Sequence, residues 1–420
     1  MKKLFIMLTT IMVIGTMITG CQSSTNNTPA KKNVTLTISR WAGPHADAQV
    51  ELIKEFEKKT GITVKMDALD YGQLYQKQVL NMSSKTGQYD LVWAQEIWLP
   101  KYVKSGYLKP LDSYFNDKSL TDSSFNVKNY TESIIKINTF DGKLYGLPTY
   151  IQTPILVYNK EMLAKEGLNP PSTWAEVLKI AQHFKTLGTG IALPNKQGQA
   201  AVDVWAAIMR SNDGDYFNGS GKLDLTQPKN VEAAAFWKNL AAASMQGSAN
   251  WHYDEVNKSV QFGTAPIGII ASGLAAPLED TTNSKVAGKL GYAPLPYSNH
   301  TYGTLAIWDW CVTADSKNPK EAFQLAAWLT SKETEKQMGL KTGQISAVTS
   351  LNDDKDLVAK MPWLPSVGKA LSKSNTQPLD DNSPKLMEAM ANALSELGVS
   401  NKDPKDVLQK VQDQLSSLYK

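Results

Sequence analysis

From residue 34 onward the chain alternates short β-branched runs with longer helical ones, and this alternation most narrows what it can fold into. Val34, Leu36 and Ile38 alternate with Thr35 and Thr37, as in a half-buried strand. Residues 48–59 carry Val50, Leu52, Ile53 and Phe56 at helical spacing, and Thr60-Gly61 ends the run. Residues 62–66 read as a second strand, 71–83 as a second helix and 89–93 as a third strand. That order implies a mostly parallel, doubly wound α/β sheet. Such sheets bind ligands beyond the carboxyl ends of their strands. Trp41, Asp70, Tyr71, Trp93, Gln95 and Glu96 then fall along one rim.

The later chain continues in this style. Two strand-like pieces lie within residues 143–158, around Pro148 and Pro154. Residues 173–184 form a helix with Ser172 or Thr173 as its N-cap and Glu176 in its first turn. Further helices are expected over 231–245, 319–331 and 403–418, a strand over 265–272 and an extended segment over 302–313. No short-period repeat occurs, which argues against solenoids and propellers.

The first twenty residues have a different character. Lys2 and Lys3 precede an uncharged, mostly apolar stretch over 4–18, about a signal peptide's length and short for a membrane span. It ends in Ile18-Thr19-Gly20-Cys21, which resembles a bacterial lipobox. The expectation is a leader over 1–20, diacylation of Cys21, and a Ser/Thr/Asn-rich tether over 21–33. The remainder is then an extracytoplasmic body anchored to the cell membrane, an arrangement that fits a Gram-positive cell.

Composition removes several function classes. Apolar residues at 42% and charged residues at 20% describe a folded chain. Lysines and arginines number 44, yet only Arg40 and Arg210 are arginines, so no nucleic-acid interface is expected. Removing the leader lowers the net charge from +4 to +2. Cys21 and Cys311 make neither a disulfide framework nor a Cys-rich metal site, and Cys311 is expected to be a buried thiol. The four histidines are dispersed, and no G-x-S-x-G, H-E-x-x-H or P-loop occurs. No metal, cofactor or catalytic chemistry is expected. Eleven tryptophans are the unusual feature.

Several segments together resemble the family 1 extracellular solute-binding proteins, the receptors of ATP-driven (ABC) sugar importers. They are Tyr89-Asp90-Leu91-Val92-Trp93-Ala94, the run from Tyr102 to Leu111, Leu144-Tyr145-Gly146-Leu147-Pro148, Leu156-Val157-Tyr158-Asn159-Lys160, and Pro171-Ser172-Thr173-Trp174-Ala175-Glu176. The run from Phe262 to Ile269 followed by Gly273, and Asn318-Pro319-Lys320-Glu321-Ala322, complete the set. The resemblance spans about residues 34–336, and beyond Gly343 it is general only. It implies a two-lobed α/β periplasmic-binding-protein fold, type II-like, with a hinge and an inter-lobe ligand cleft. The implied lobes are 33–149 with 296–345, and 150–295 with 346–420. A monomer that captures a mono- or oligosaccharide and docks on permease subunits is implied as well.

A sugar offers apolar C–H faces and a polar hydroxyl edge, so its site needs aromatic platforms and planar polar side chains. Trp93-Ala94-Gln95-Glu96 is similar to the family's Trp-Ala-His-Asp run, which holds sugar through its Trp and its acid; the arginine that follows there is Ile97 here. Gln152 stands where the family has a sugar-binding glutamate, with Tyr150 beside it at the crossing. Trp41 and His45 lie in a loop that faces the cleft in the family, with Asp47 read as a helix N-cap and His45 as a surface residue. Trp308-Asp309-Trp310 puts an acid between two tryptophans on an extended segment, with one of Trp308 or Asp309 expected at the ligand. Trp205, Trp251 and the Gly273-Leu274 turn are candidates from the second lobe, where Ala275 replaces a stacking tryptophan. Trp174, Trp237 and Trp328 are read as packing. For Trp93 and Trp308 the competing reading is also the core.

Three alternatives stay open. The same fold takes polyamines or glycerol phosphate elsewhere, although the first wants more acids and the second more arginines than are found here. A lipid-anchored glycoside hydrolase would use Glu96 and Asp309 as its carboxylate pair. A receptor feeding a sensor instead of a permease would have the same sequence signals.

Overall fold

The computed structural model describes residues 34–121, 123–371 and 373–419, with only the backbone of Tyr71 and Gly72. The candidate leader, Cys21 and the tether lie outside these residues.

Two sheets organise the chain. The first runs in the order Thr63–Leu69, Thr35–Trp41, Leu91–Gln95, Ala306–Val312, Leu147–Gln152. Its first three strands are parallel, and Ala306–Val312 enters antiparallel to both of its neighbours. Helix Pro44–Thr60 returns the chain between the first two strands and buries Leu52, Ile53 and Phe56. Gly61 ends that helix at φ 75°, a left-handed conformation that costs glycine nothing. The helix begins earlier than expected, at Pro44, so Asp47 lies in its first turn and is not the cap. Thr173 does cap helix Trp174–Thr186, in a reciprocal capping box with Glu176.

The second sheet runs in the order Leu290–Pro294, Pro154–Asn159, Ile267–Ala271, Ile191–Ala192. The chain passes between the sheets at Thr153 and again between Pro294 and Ala306. A third strip, residues 345–347, runs beside 149–151, with Ile151 N–H donating to Ile345 O at 3.0 Å and Ala347 N–H to Thr149 O at 2.7 Å.

Each sheet has its own core. Leu36, Ile38, Phe56, Leu91, Trp310, Phe323 and Trp328 pack on the first. Trp174, Val177, Trp205, Trp237, Ile269 and Leu394 pack on the second. Helix Gln199–Ser211 is buried over most of its surface and leaves only a narrow polar stripe of Gln199, Asp203 and Arg210. Helix Ser383–Val399, in the tail with little resemblance, buries Leu386, Met390 and Leu394 in the same core. Cys311 is a buried free thiol.

Candidate ligand-binding site

The register of the first sheet gathers its aromatic residues. Trp308 lies opposite Gln95 on one side and Tyr150 on the other, and Trp310 lies opposite Trp93. Side chains two apart share a face, so the indoles meet. Trp41 stacks on Trp308 at 6.1 Å between ring centres, Trp308 on Trp93 at 4.2 Å, and Trp93 on Tyr150 at 6.2 Å. Trp98 meets Trp308 edge-on at 5.3 Å. Arg40 lies 4.3 Å over the centre of the Trp93 ring and donates to Gln49 Oε1 at 2.6 Å. Burial lowers the Arg40 pKa to about 9.

Only the outer layer of this stack faces solvent. Trp41 is 37% exposed, whereas Trp308 is 3% and Trp93 1% exposed. Trp93, expected as a platform, is therefore an inner layer held between Trp308 and Arg40. Tyr150 is buried too and donates to Gln152 Oε1 at 2.8 Å. Its hydroxyl abuts Gly273, where an added Cβ would stand 1.8 Å from the oxygen. His45, read as a surface residue, packs edge-on to Tyr150 at 5.7 Å, and burial lowers its pKa to about 4.

The acids of the first sheet are held inside. Glu96 accepts from the Ile307 N–H at 2.7 Å. Burial first, then the Asp309 and Asp203 charges, raise its pKa well above the usual carboxylate range. Asp309 does not reach the cleft. Strand alternation turns it away from Trp308, towards Gly146 and Asn138, whose Nδ2 donates to Oδ1 at 2.5 Å. Its Oδ2 is buried without a partner, and burial raises its pKa well above the usual carboxylate range. Glu96 and Asp309 are thus two buried, differently engaged acids. Asp70 is exposed at the start of helix Tyr71–Ser84, Gln95 is buried at a strand end, and the Tyr71 side chain lies outside the described atoms.

On the second sheet the two expected tryptophans are misplaced. Trp205 is fully buried in the core, edge-on to Tyr216. Trp251 lines a surface pocket with Gly188, Phe262 and Thr264, residues that lead into strands, so it sits at the end opposite the cleft. Ala275 is fully buried as well.

Residues two positions from those tryptophans carry polar groups instead. Asp203, on helix Gln199–Ser211, accepts from Gln199 Nε2 at 2.8 Å and Gln377 Nε2 at 2.9 Å, both on Oδ1. Its carbonyl accepts from Thr304 Oγ1 at 3.3 Å, which ties this helix to the crossing that leads to Trp308. Burial pushes the Asp203 pKa up to about 6. Tyr253 packs with Ala200, Ala271 and Leu274 and leaves its buried hydroxyl without a partner. The spacing of Gln199 and Asp203, one helical turn apart, was the one sequence signal for this wall.

Among the described residues no cluster of three or more His, Cys, Asp or Glu side chains is suited to a metal. The arrangement offers an aromatic face on one side and carboxylate, amide and phenol groups on the other.

Residues 42–336 match the family model for bacterial extracellular solute-binding proteins. A probable amino-acid ABC transporter periplasmic-binding protein of Sinorhizobium fredii is 27% identical over 344 residues, 77% of this chain and 75% of the relative. An arabinooligosaccharide-binding protein of Bacillus subtilis is 25% identical over 250 residues, 57% of this chain and 55% of the relative. Among solved structures, an ABC transporter solute-binding protein of Agrobacterium radiobacter in complex with ribitol superposes with a TM-score of 0.80 at 23% identity, covering 93% of this chain and all 100% of that one. Maltose-bound MalE3 of T. maritima gives 0.82 at 18% identity, covering 92% and 100%. The two sheets joined by three crossing strips are the two-lobed periplasmic-binding-protein architecture, and this chain belongs to the bacterial extracellular solute-binding proteins.

Proposed function

We propose that this protein captures a sugar or sugar alcohol outside the membrane and delivers it to the membrane subunits of an ABC importer. The observation that carries the reading is the partly exposed Trp41, backed by Trp308, at the end of strand Thr35–Trp41. An indole face matches the C–H face of a sugar, and planar acceptors and donors match its hydroxyls. Relatives in complex with ribitol and maltose support the same ligand chemistry.

The lobes in this reading are 33–149 with 296–345 and 150–295 with 346–420. They close on the ligand about the strips at Thr153, 295–305 and 345–347. Trp41 and Gln95 contact the ligand from one lobe, with Trp308 backing Trp41; Gln152 contacts it from the crossing beside Thr153, and residues around Gly273 from the other lobe. Glu96 positions the strand that carries Trp308. No covalent step is involved.

An amino acid is the second reading, because one relative is described as an amino-acid transporter component. An α-carboxylate wants a displayed cation, yet Arg40 is spent under Trp93 and Arg210 on Thr376 O and Asp215. Titration calorimetry of the full chain in detergent against sugars, polyols and amino acids tests both. Binding of a sugar or polyol supports the proposal, and binding of amino acids alone overturns it.

Lipid on Cys21 would hold the protein at the cell surface of a Gram-positive cell and keep it near its permease. A Cys21→Ser variant that stays in the membrane fraction would contradict the anchor.

A further inference from the structure

We infer that Asp203 and Tyr253 are the ligand-reading groups of the second lobe, and that they select one short, uncharged polyhydroxy unit, a monosaccharide or an open-chain polyol. This rests on the sugar-binding reading above and narrows it.

Among the described residues, the aromatic stack lies on one side and is one ring wide. Trp41, Trp308, Trp93 and Tyr150 form a single stack, so its partly exposed end offers one indole face. A second sugar ring would need a second platform. Among the described residues, no tryptophan of the opposite lobe supplies one: Trp174, Trp205, Trp237 and Trp363 are buried, Trp251 lies at the far end of the sheet, and Ala275 is buried.

What that lobe presents is polar and incompletely satisfied. Both amides that bind Asp203 use Oδ1, and among the described residues nothing donates to Oδ2. The Tyr253 hydroxyl is buried, with no partner of its own. Such a group carries a desolvation cost until something pairs with it. Tyr253 packs on Ala271 and Leu274, which flank Gly273, and on Ala200, three residues from Asp203. The Asp203 charge adds to the burial that keeps the Tyr253 phenol protonated. One free acceptor and one free donor on neighbouring elements suit vicinal hydroxyls: one donates to the carboxylate and the next accepts from the phenol. A ligand without those hydroxyls leaves both groups unpaired, and a site of this kind rejects it strongly.

Titration calorimetry on the full chain in detergent, at neutral pH, with ribitol, D-mannitol, D-tagatose, glucosamine, maltose and maltotriose, tests the inference. The expected result is that one of the first three binds at least about tenfold more tightly than maltotriose. Asp203→Asn and Tyr253→Phe should each weaken it by roughly 5- to 50-fold, as expected for a lost hydrogen bond to a charged or neutral group, and flatten the preference among the polyols. Their melting temperatures should not fall, which separates ligand reading from folding. Maltotriose binding as tightly as the short ligands overturns the inference, as does tightest binding by glucosamine, a cation. Either variant keeping both wild-type affinity and preference overturns it too. Those three results leave the sugar reading standing. Wild-type protein that binds none of the six brings down both.

Discussion

Tyr150 of the first sheet reaches Gly273 of the second so closely that one added methyl carbon would stand 1.8 Å from the phenol oxygen. The contact lies beside Thr153, where the chain passes from one sheet to the other. Gly273→Ala must push the phenol away, and with it the Gln152 amide that the phenol binds. Its ligand affinity is expected to fall by at least about tenfold, the equivalent of ~1.4 kcal/mol. Calorimetric titration reads this directly, and wild-type affinity in the variant would show that the contact is idle.

The aromatic stack makes a graded prediction. Trp41→Ala removes a partly exposed layer, so affinity should drop by about tenfold or more while the melting temperature barely moves. Trp308→Ala empties a buried layer between two indoles and should also cost roughly 3 kcal/mol of stability. Denaturant titration beside ligand titration separates the two.

Glu96 and Asp309 differ in what their removal exposes. Glu96→Gln keeps an acceptor for the Ile307 N–H and should fold like the wild type. Glu96→Ala leaves that N–H unpaired and should lose about 1–3 kcal/mol. Asp309→Asn should leave ligand affinity unchanged, because Asp309 faces Asn138 and Gly146, on the other side of the sheet from Trp308.

A pH dependence follows from Glu335. It is buried beside the crossing strips, accepts from the Thr149 hydroxyl and from Gln344 Nε2 at 3.4 Å, and is bonded by Ser346. Burial raises its pKa to about 8, against the pull of those partners and of the Arg40 charge; Tyr130 is the other titratable group that feels it. Unfolded, the acid loses its proton near about 4.3. Between those values the folded state holds more protons than the unfolded one, so stability declines as pH rises from about 4.3 to about 8. Glu335→Gln should abolish that decline and melt above the wild type at pH 8–9, but not at pH 5. Parallel melting curves across the whole range would refute the assignment.

The fold was legible wherever one face of an element is buried. Leu36 and Ile38, or Leu52 and Phe56, show their period because their neighbours on the other face are polar. Helix Gln199–Ser211 has only a narrow polar stripe, Gln199, Asp203 and Arg210, so its period is easily missed. On the first sheet, strand ends and alternation marked Trp41 and Trp308 as candidates, and the structure stacks their rings 6.1 Å apart. On the second sheet the large aromatic residues misled. Trp205 and Trp251 are the conspicuous residues, but a helix interior and a far strand end claim them, while Asp203 and Tyr253 nearby carry the polar groups proposed above to read the ligand. An acid on a helix ordinarily reads as a solvated face. Only packing against Gln377, 174 positions away, makes this one different.

The close indoles also give the molecule an optical character. Trp93 and Trp98 lie 4.2 and 5.3 Å from Trp308, Trp41 lies 6.1 Å from Trp308, and Trp310 lies 6.3 Å from Trp93. Chromophores this near share excitation, so the group absorbs as coupled oscillators and passes its energy among its members before emitting. Trp41, the member most open to water, has the most polar surroundings and should collect much of that emission at the red end. A molecule settling on its face would shift the colour and yield of the whole group. The protein thereby carries its own fluorescent reporter of occupancy, with no label attached.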